Sequence, residues 1–150
     1  MTPIKYLDAT FAVAGQLTAD DFAALAAEGF KSILANRPDG EDYFQLTAAK
    51  AQALATAAGL EFRHLPLRMP DIFEPTTIAA TQEAIASLPQ PVLAYCRSGT
   101  RSAIAWAAAE SRTQPVDALI GALGRAGYDV PGLADELQAR KLGDPANDHG

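Results

Sequence analysis

Two hydrophobic periods take turns along this chain. Short apolar runs, some with the two-residue alternation of strands, are separated by stretches whose apolar positions recur every three to four residues, as on one face of a helix. Residues 8–14, 30–35 and 60–65 are predicted as strands, and so is the apolar run that Pro91 opens. A helix is predicted after the turn Gly15-Gln16-Leu17, with Thr18 and Asp21 as a capping box, Phe22, Leu25 and Ala26 on its apolar face, and Gly29 at its end. Thr47 caps the next, over 48–58, and Gly59 stops it. Thr76 or Thr77 caps a third, which reaches Leu88 with Ile78, Ala79, Ile85 and Leu88 inward. Further helices are expected from the run through Trp106, a core residue, to about Arg112, then over 115–126 and 131–141. Alternation of this kind implies an α/β fold: a central, mostly parallel sheet of four to five strands flanked by helices on both faces. One catalytic domain is expected over residues 1–142, with 143–150 a flexible C-terminal tail.

Composition narrows the functional classes. At 150 residues, 49% hydrophobic and 20% charged, the chain has the balance of a globular domain. A net charge of −6 argues against a nucleic-acid surface and makes any attraction for anions local. No apolar run approaches the roughly 20 residues of a membrane span. The first residues lack the charged-then-apolar pattern of a signal peptide. Cys96 is the only cysteine, so no internal disulfide can form, and a reducing cytoplasm is the expected location. His64 and His149 are far apart and no Cys/His cluster occurs, so neither a metal nor a cofactor is expected. A Gly-Lys-Ser/Thr phosphate loop is also missing from the sequence. The expected partner is a small anionic substrate.

The chemistry concentrates between Pro91 and Ala107. An apolar strand breaks into Cys96-Arg97-Ser98-Gly99-Thr100-Arg101-Ser102 and runs directly into an alanine-rich helix. A strand–loop–helix junction of this kind gathers backbone N–H groups around one point, with the positive end of the helix beneath it. A cysteine at the rim of such a loop is expected as a thiolate nucleophile. Arg101 can fork two N–H groups onto an oxyanion, Gly99 lets a ligand approach the backbone, and Ser102 can donate to the sulfur or cap the helix. Arg97, Ser98 and Thr100 complete the candidate anion-binding loop.

Other candidates are more local. Arg37 and Glu41 read first as solvated charges of the turn 36–41, with Arg37 near the site as the alternative, since ligands gather at the carboxyl ends of parallel strands. His64 reads as an ordinary strand residue. The stretch 66–75 holds three prolines and is the longest irregular segment. Within it Asp71 and Glu74 are candidate general acids and Arg68 a candidate anion contact.

Taken together, Gly15-Gln16-Leu17, Gly29-Phe30-Lys31-Ser32-Ile33, Asn36-Arg37-Pro38-Asp39-Gly40-Glu41 and Cys96-Arg97-Ser98-Gly99-Thr100-Arg101-Ser102 resemble the DUF442 family. This is the phosphatase-like domain also found fused to bacterial beta-lactamase-hydrolase-like sulfur dioxygenases. The resemblance covers roughly residues 5–112 and implies a protein-tyrosine-phosphatase-like fold, with members described as phosphatases or as rhodanese-type sulfurtransferases. Cysteine phosphatases place five residues between nucleophile and arginine; here four separate Cys96 from Arg101, as is similar to rhodaneses. Tyr95 also stands where those phosphatases carry histidine. On this basis the first expectation is a sulfurtransferase carrying a Cys96 persulfide. The alternative is a phosphatase using Cys96, Arg101 and Asp71. A third reading is a non-catalytic anion-binding module.

Overall fold

The structure, a computed structural model, describes residues 1–143. Five strands, β1 (Ile4–Asp8), β2 (Phe11–Ala14), β3 (Ser32–Ala35), β4 (Glu61–His64) and β5 (Val92–Tyr95), form one sheet in the order β1-β2-β5-β3-β4. Only β1 runs antiparallel to its neighbour; β2, β5, β3 and β4 are parallel. The described helices are α1 (Asp21–Ala27), α2 (Ala48–Ala57), α3 (Pro75–Ser87), α4 (Thr100–Glu110), α5 (Val116–Arg125) and α6 (Leu133–Gly143). This is the mostly parallel α/β architecture that the two periodicities imply.

The continuous apolar runs of β2, β3 and β5 follow from burial on both faces of a parallel sheet. Alternate residues serve opposite cores. Val13, Leu34, Val92 and Ala94 pack with Trp106, Leu119 and Leu137 on one side. Ala12, Ile33, Leu93 and Tyr95 pack with Phe22, Leu25, Ala51 and Ala55 on the other. Helix α4 is buried continuously from Ser102 to Ala109, and its alanines let it lie close against the sheet. Trp106 is core, as expected, stacked on Phe11 at 6.4 Å between ring centroids. The β5–α4 junction is therefore held within the buried core.

Three local expectations need correction. Residues 8–14 are not one strand: Asp8 Oδ1 accepts from the Thr10 N–H at 2.8 Å and turns the chain back, making β1–β2 a hairpin. Only half of the capping box forms. Asp21 Oδ2 accepts from the Thr18 N–H at 2.7 Å and from Thr2 Oγ1 at 2.6 Å, while the N-cap itself is Asp20. These bonds hold the Asp21 carboxyl below its ordinary value against the opposing effect of burial, the largest single influence on it. The cap of α3 falls two residues before Thr76, because Pro75 suits the first helical position and makes Glu74 the N-cap. Thr76 and Thr77 thus lie inside the helix, and Thr81, not Ala79, faces the core. Of the tail expected over 143–150, Gly143 is the last residue of α6 and the rest lies outside the described residues. No described helix is long and apolar enough to cross a membrane.

Candidate active site

Strand β5 lies between β2 and β3, so the loop that follows it opens at the carboxyl edge of the sheet centre, where such folds place ligands. Backbone bonds pin it from both sides. The Cys96 N–H donates to the Ala14 carbonyl at 3.3 Å, the Gln16 N–H to the Arg97 carbonyl at 3.2 Å, and the Asn36 N–H to the Tyr95 carbonyl at 2.8 Å. Gly15 permits this closeness: a Cβ there would stand 3.0 Å from the Arg97 oxygen.

Cys96 is fully buried, so it forms the floor of the loop and not its rim. Its sulfur accepts the Gly99 N–H at 3.1 Å, one of the amide donors the sequence pattern calls for. Gly99 is the N-cap of α4 with φ of 92°. A Cβ at that position would fall 2.1 Å from the Tyr128 hydroxyl and 3.4 Å from the Ala14 carbonyl carbon. Tyr128, from the segment after α5, donates its hydroxyl to the Ser98 carbonyl at 3.4 Å and covers the loop from the far side. Burial first, then the Cys96 sulfur, pushes the Tyr128 phenol up. Gly99→Ala is expected to cost about 1–3 kcal/mol from the left-handed backbone and the displaced phenol. Thermal or urea unfolding measures it, and a variant as stable as the parent contradicts this account of the loop.

Arg101 points back across the loop. Its Nη1 donates to Glu41 Oε2 at 2.8 Å and to the Leu67 carbonyl at 2.9 Å, and its Nη2 to Glu41 Oε1 at 2.8 Å. Glu41 also accepts Arg37 Nε at 3.0 Å. One carboxylate therefore bridges two arginines, and Arg101 first, then Arg37, hold it at about 2 against partial burial. The same pairing, with a smaller contribution from Cys96, raises Arg101 above its ordinary value. Arg37 is 5% exposed, with Nη1 on Gln16 Oε1 at 3.1 Å. So the turn charges Arg37 and Glu41, read first as solvated, are structural parts of the site.

The hydroxyl of Ser102 neither reaches the sulfur nor caps α4. It donates to Asn36 Oδ1 at 2.8 Å, and Asn36 Nδ2 donates to the Leu65 carbonyl at 2.9 Å. Asn36 thereby ties α4 to the end of β4. Ser98 and Thr100 share a hydroxyl contact of 3.0 Å at the exposed rim, and Arg97 is exposed beside them. His64 is a β4 residue whose Nε2 lies 3.1 Å from the Arg37 carbonyl. Burial, then Asp39, pushes the Tyr95 phenol up to about 12, so it holds its proton at neutral pH.

The segment 66–74 joins the site through the Leu67 carbonyl on Arg101. Asp71 is half-buried at the end of a single 3-10 turn, Met69–Asp71. Arg68 and Glu74 are exposed, and among the described residues neither hydrogen-bonds to the Cys96 loop. No cluster of three or more metal-ligating side chains occurs among the described residues.

Comparison with known proteins agrees with this geometry. Residues 3–113 match the family described as the phosphatase-like domain of beta-lactamase hydrolase-like protein. A beta-lactamase hydrolase-like protein of Agrobacterium fabrum is 41% identical over 90 residues, which make up 60% of this chain and 21% of that protein. The chain thus spans about a fifth of the length of that relative. The crystal structure of a candidate phosphatase from Neisseria meningitidis is 32% identical, with a TM-score of 0.81, and the match covers 91% of this chain and 96% of that one. A DUF442 candidate phosphatase from Shewanella putrefaciens is 15% identical, with a TM-score of 0.70 and 93% of each chain covered. Tk-PTP, 18% identical with a TM-score of 0.63 over 91% of this chain and 94% of that one, shares the fold. The fold is that of protein-tyrosine-phosphatase-like enzymes, and the chain belongs to the family of phosphatase-like domains of beta-lactamase hydrolase-like proteins.

Proposed function

We propose that this protein is a cysteine-dependent phosphatase acting on phosphate monoesters. The observation that carries the reading is the pairing of a floor cysteine, its sulfur on the Gly99 N–H, with an arginine whose fork is fixed by Glu41. Family membership and the Neisseria structure support ester hydrolysis over the sulfur transfer suggested by loop length.

A guanidinium has five N–H donors. Glu41 and Leu67 take three of those on Arg101. The Nε–H and the outer Nη2–H remain, adjacent on one edge, to grip two phosphoryl oxygens. The Cys96 thiolate attacks phosphorus, forming an S–P bond as the ester P–O bond breaks. Asp71, as the carboxylic acid, gives its proton to the departing oxygen. Water then attacks phosphorus, the S–P bond breaks, Asp71 accepts a proton, and phosphate leaves with the thiolate restored. Amides and the α4 N-terminus hold the negative charge throughout.

The four-residue spacing still favours sulfur transfer as a second reading, because a tighter loop suits one added sulfur. Asp71→Asn separates the two. It is expected to slow aryl phosphate hydrolysis by about 100-fold. Sulfur transfer from thiosulfate needs no proton for its leaving group and would be unaffected. Intact mass spectrometry after thiosulfate treatment adds a direct check: a gain of one sulfur on Cys96, with no ester turnover, would overturn the phosphatase reading. Tight phosphate binding without turnover of either class would leave an anion-binding module.

A further inference from the structure

Beside the Cys96 loop lies a concavity of about 480 Å³ that the steps above do not use. Leu17, Leu46 and Phe44 supply an apolar wall, and Gln16, Arg37 and Arg97 bring polar groups to it. Two features of this groove point to an anion. Arg97 is exposed, and its guanidinium has no partner among the described residues. Arg37 is almost wholly buried; Glu41 takes its Nε and Gln16 its Nη1, yet its Nη2 has no hydrogen-bond partner among the described residues. That Nη2 is closed off from solvent, so Arg37 adds positive charge behind the groove wall, while the exposed Arg97 guanidinium is the donor an anionic ligand group can reach. Asp42 also lines the groove, its Oδ1 accepting from the Tyr43 N–H at 2.8 Å, and sets one negative charge against the two arginines. Phe44, 91% exposed and edge-on to Tyr43 at 5.0 Å between ring centroids, offers an apolar face at the edge of the groove.

We infer that this groove is a second subsite, which takes a further anionic group, phosphate or carboxylate, borne on an aromatic or other apolar part of the same substrate molecule. The inference rests on the reading of the Cys96 loop as the phosphoryl site, since the groove shares Arg37, Gln16 and Arg97 with that loop's supports. The preferred substrates are therefore esters with two anionic groups on one apolar body.

Binding to Cys96→Ser protein tests this without turnover. Calorimetry would compare phenyl phosphate with phenyl phosphates carrying a carboxylate or a second phosphate at the meta or para position. At least one of these is expected to bind about tenfold more tightly than phenyl phosphate, as charge-assisted bonds allow. Adding Arg97→Gln, or Leu46→Asp to place a like charge in the wall, should erase that advantage. Equal affinities across the series, or an advantage that both variants leave intact, overturns the subsite. Turnover of phenyl phosphate by the unsubstituted protein reports on the phosphatase reading separately. The affinity step without turnover would retain the subsite and remove the reaction.

Discussion

Cys96→Ser is expected to lower aryl phosphate hydrolysis by at least about a thousandfold while leaving phosphate binding within a few-fold of the parent. The reason lies in what surrounds the sulfur. A hydroxyl at that position still accepts the Gly99 N–H, and it is smaller than the thiol, so the loop keeps its shape. An alcohol needs a base to become a nucleophile, and Asp71, which carries the leaving group's proton in that step, does not serve as one. The His64 ring nitrogen faces the Arg37 carbonyl, and the Tyr95 phenol is pushed up to about 12 by burial. The Glu41 carboxylate, held at about 2 by Arg101 and Arg37, is too weak a base. Steady-state rates and phosphate titration of the same preparation measure the two halves of the expectation. Parental turnover would remove Cys96 from the mechanism. Loss of phosphate binding in a variant that still folds would remove the anion cradle.

The reactive junction was legible because local and global preferences agree there. The apolar run of β5 is buried on both faces, Gly99 takes the one left-handed position at the helix start, and α4 is built of strong helix formers. Thr47 is similar: its hydroxyl accepts from the Lys50 N–H, a bond three residues long that any local reading finds. Strand β1 left no such trace. As an edge strand it buries only Leu7, so its alternation is hidden among exposed polar positions. The turn at Thr10 and the start of α3 at Pro75 were decided by one side-chain bond and one fixed ring. What sequence could not reveal is long-range pairing. Ser102 meets Asn36 across 66 positions and Arg101 meets Glu41 across 60, and neither partner announces the other. The signal for Glu41 lay in the family pattern Asn36-Arg37-Pro38-Asp39-Gly40-Glu41, whose acidic end sits four residues from Arg37 and pairs with it. Tyr128 lies beyond the family match altogether, and its role depends on the missing Cβ of Gly99.

The other large effect falls on Arg101. Arg101→Lys is expected to reduce kcat/KM for aryl phosphates by about a thousandfold, although the charge is kept. A lysine ammonium has three N–H donors. The two Glu41 oxygens and the Leu67 carbonyl already demand three, so nothing would remain for the phosphoryl oxygens. The guanidinium alone satisfies the scaffold on one edge and offers a second edge to the substrate. Glu41 keeps that division of labour over a wide pH range. Its carboxyl is held at about 2, below its ordinary 4.5, chiefly by Arg101. A carboxyl lowered on folding stabilises the native state fully above its unfolded value, and that stabilisation is lost progressively as pH falls from about 4.5 to about 2. The Arg101–Glu41 pair therefore stays ionised through the neutral and mildly acid range. Any acid limb of the rate profile above pH 5 belongs to another group, and Glu41→Gln should lower the plateau without moving that limb. If Arg101→Lys kept a tenth of the parental kcat/KM, the free edge of the guanidinium would not be the phosphoryl clamp, and the geometry around Glu41 would have to serve binding alone.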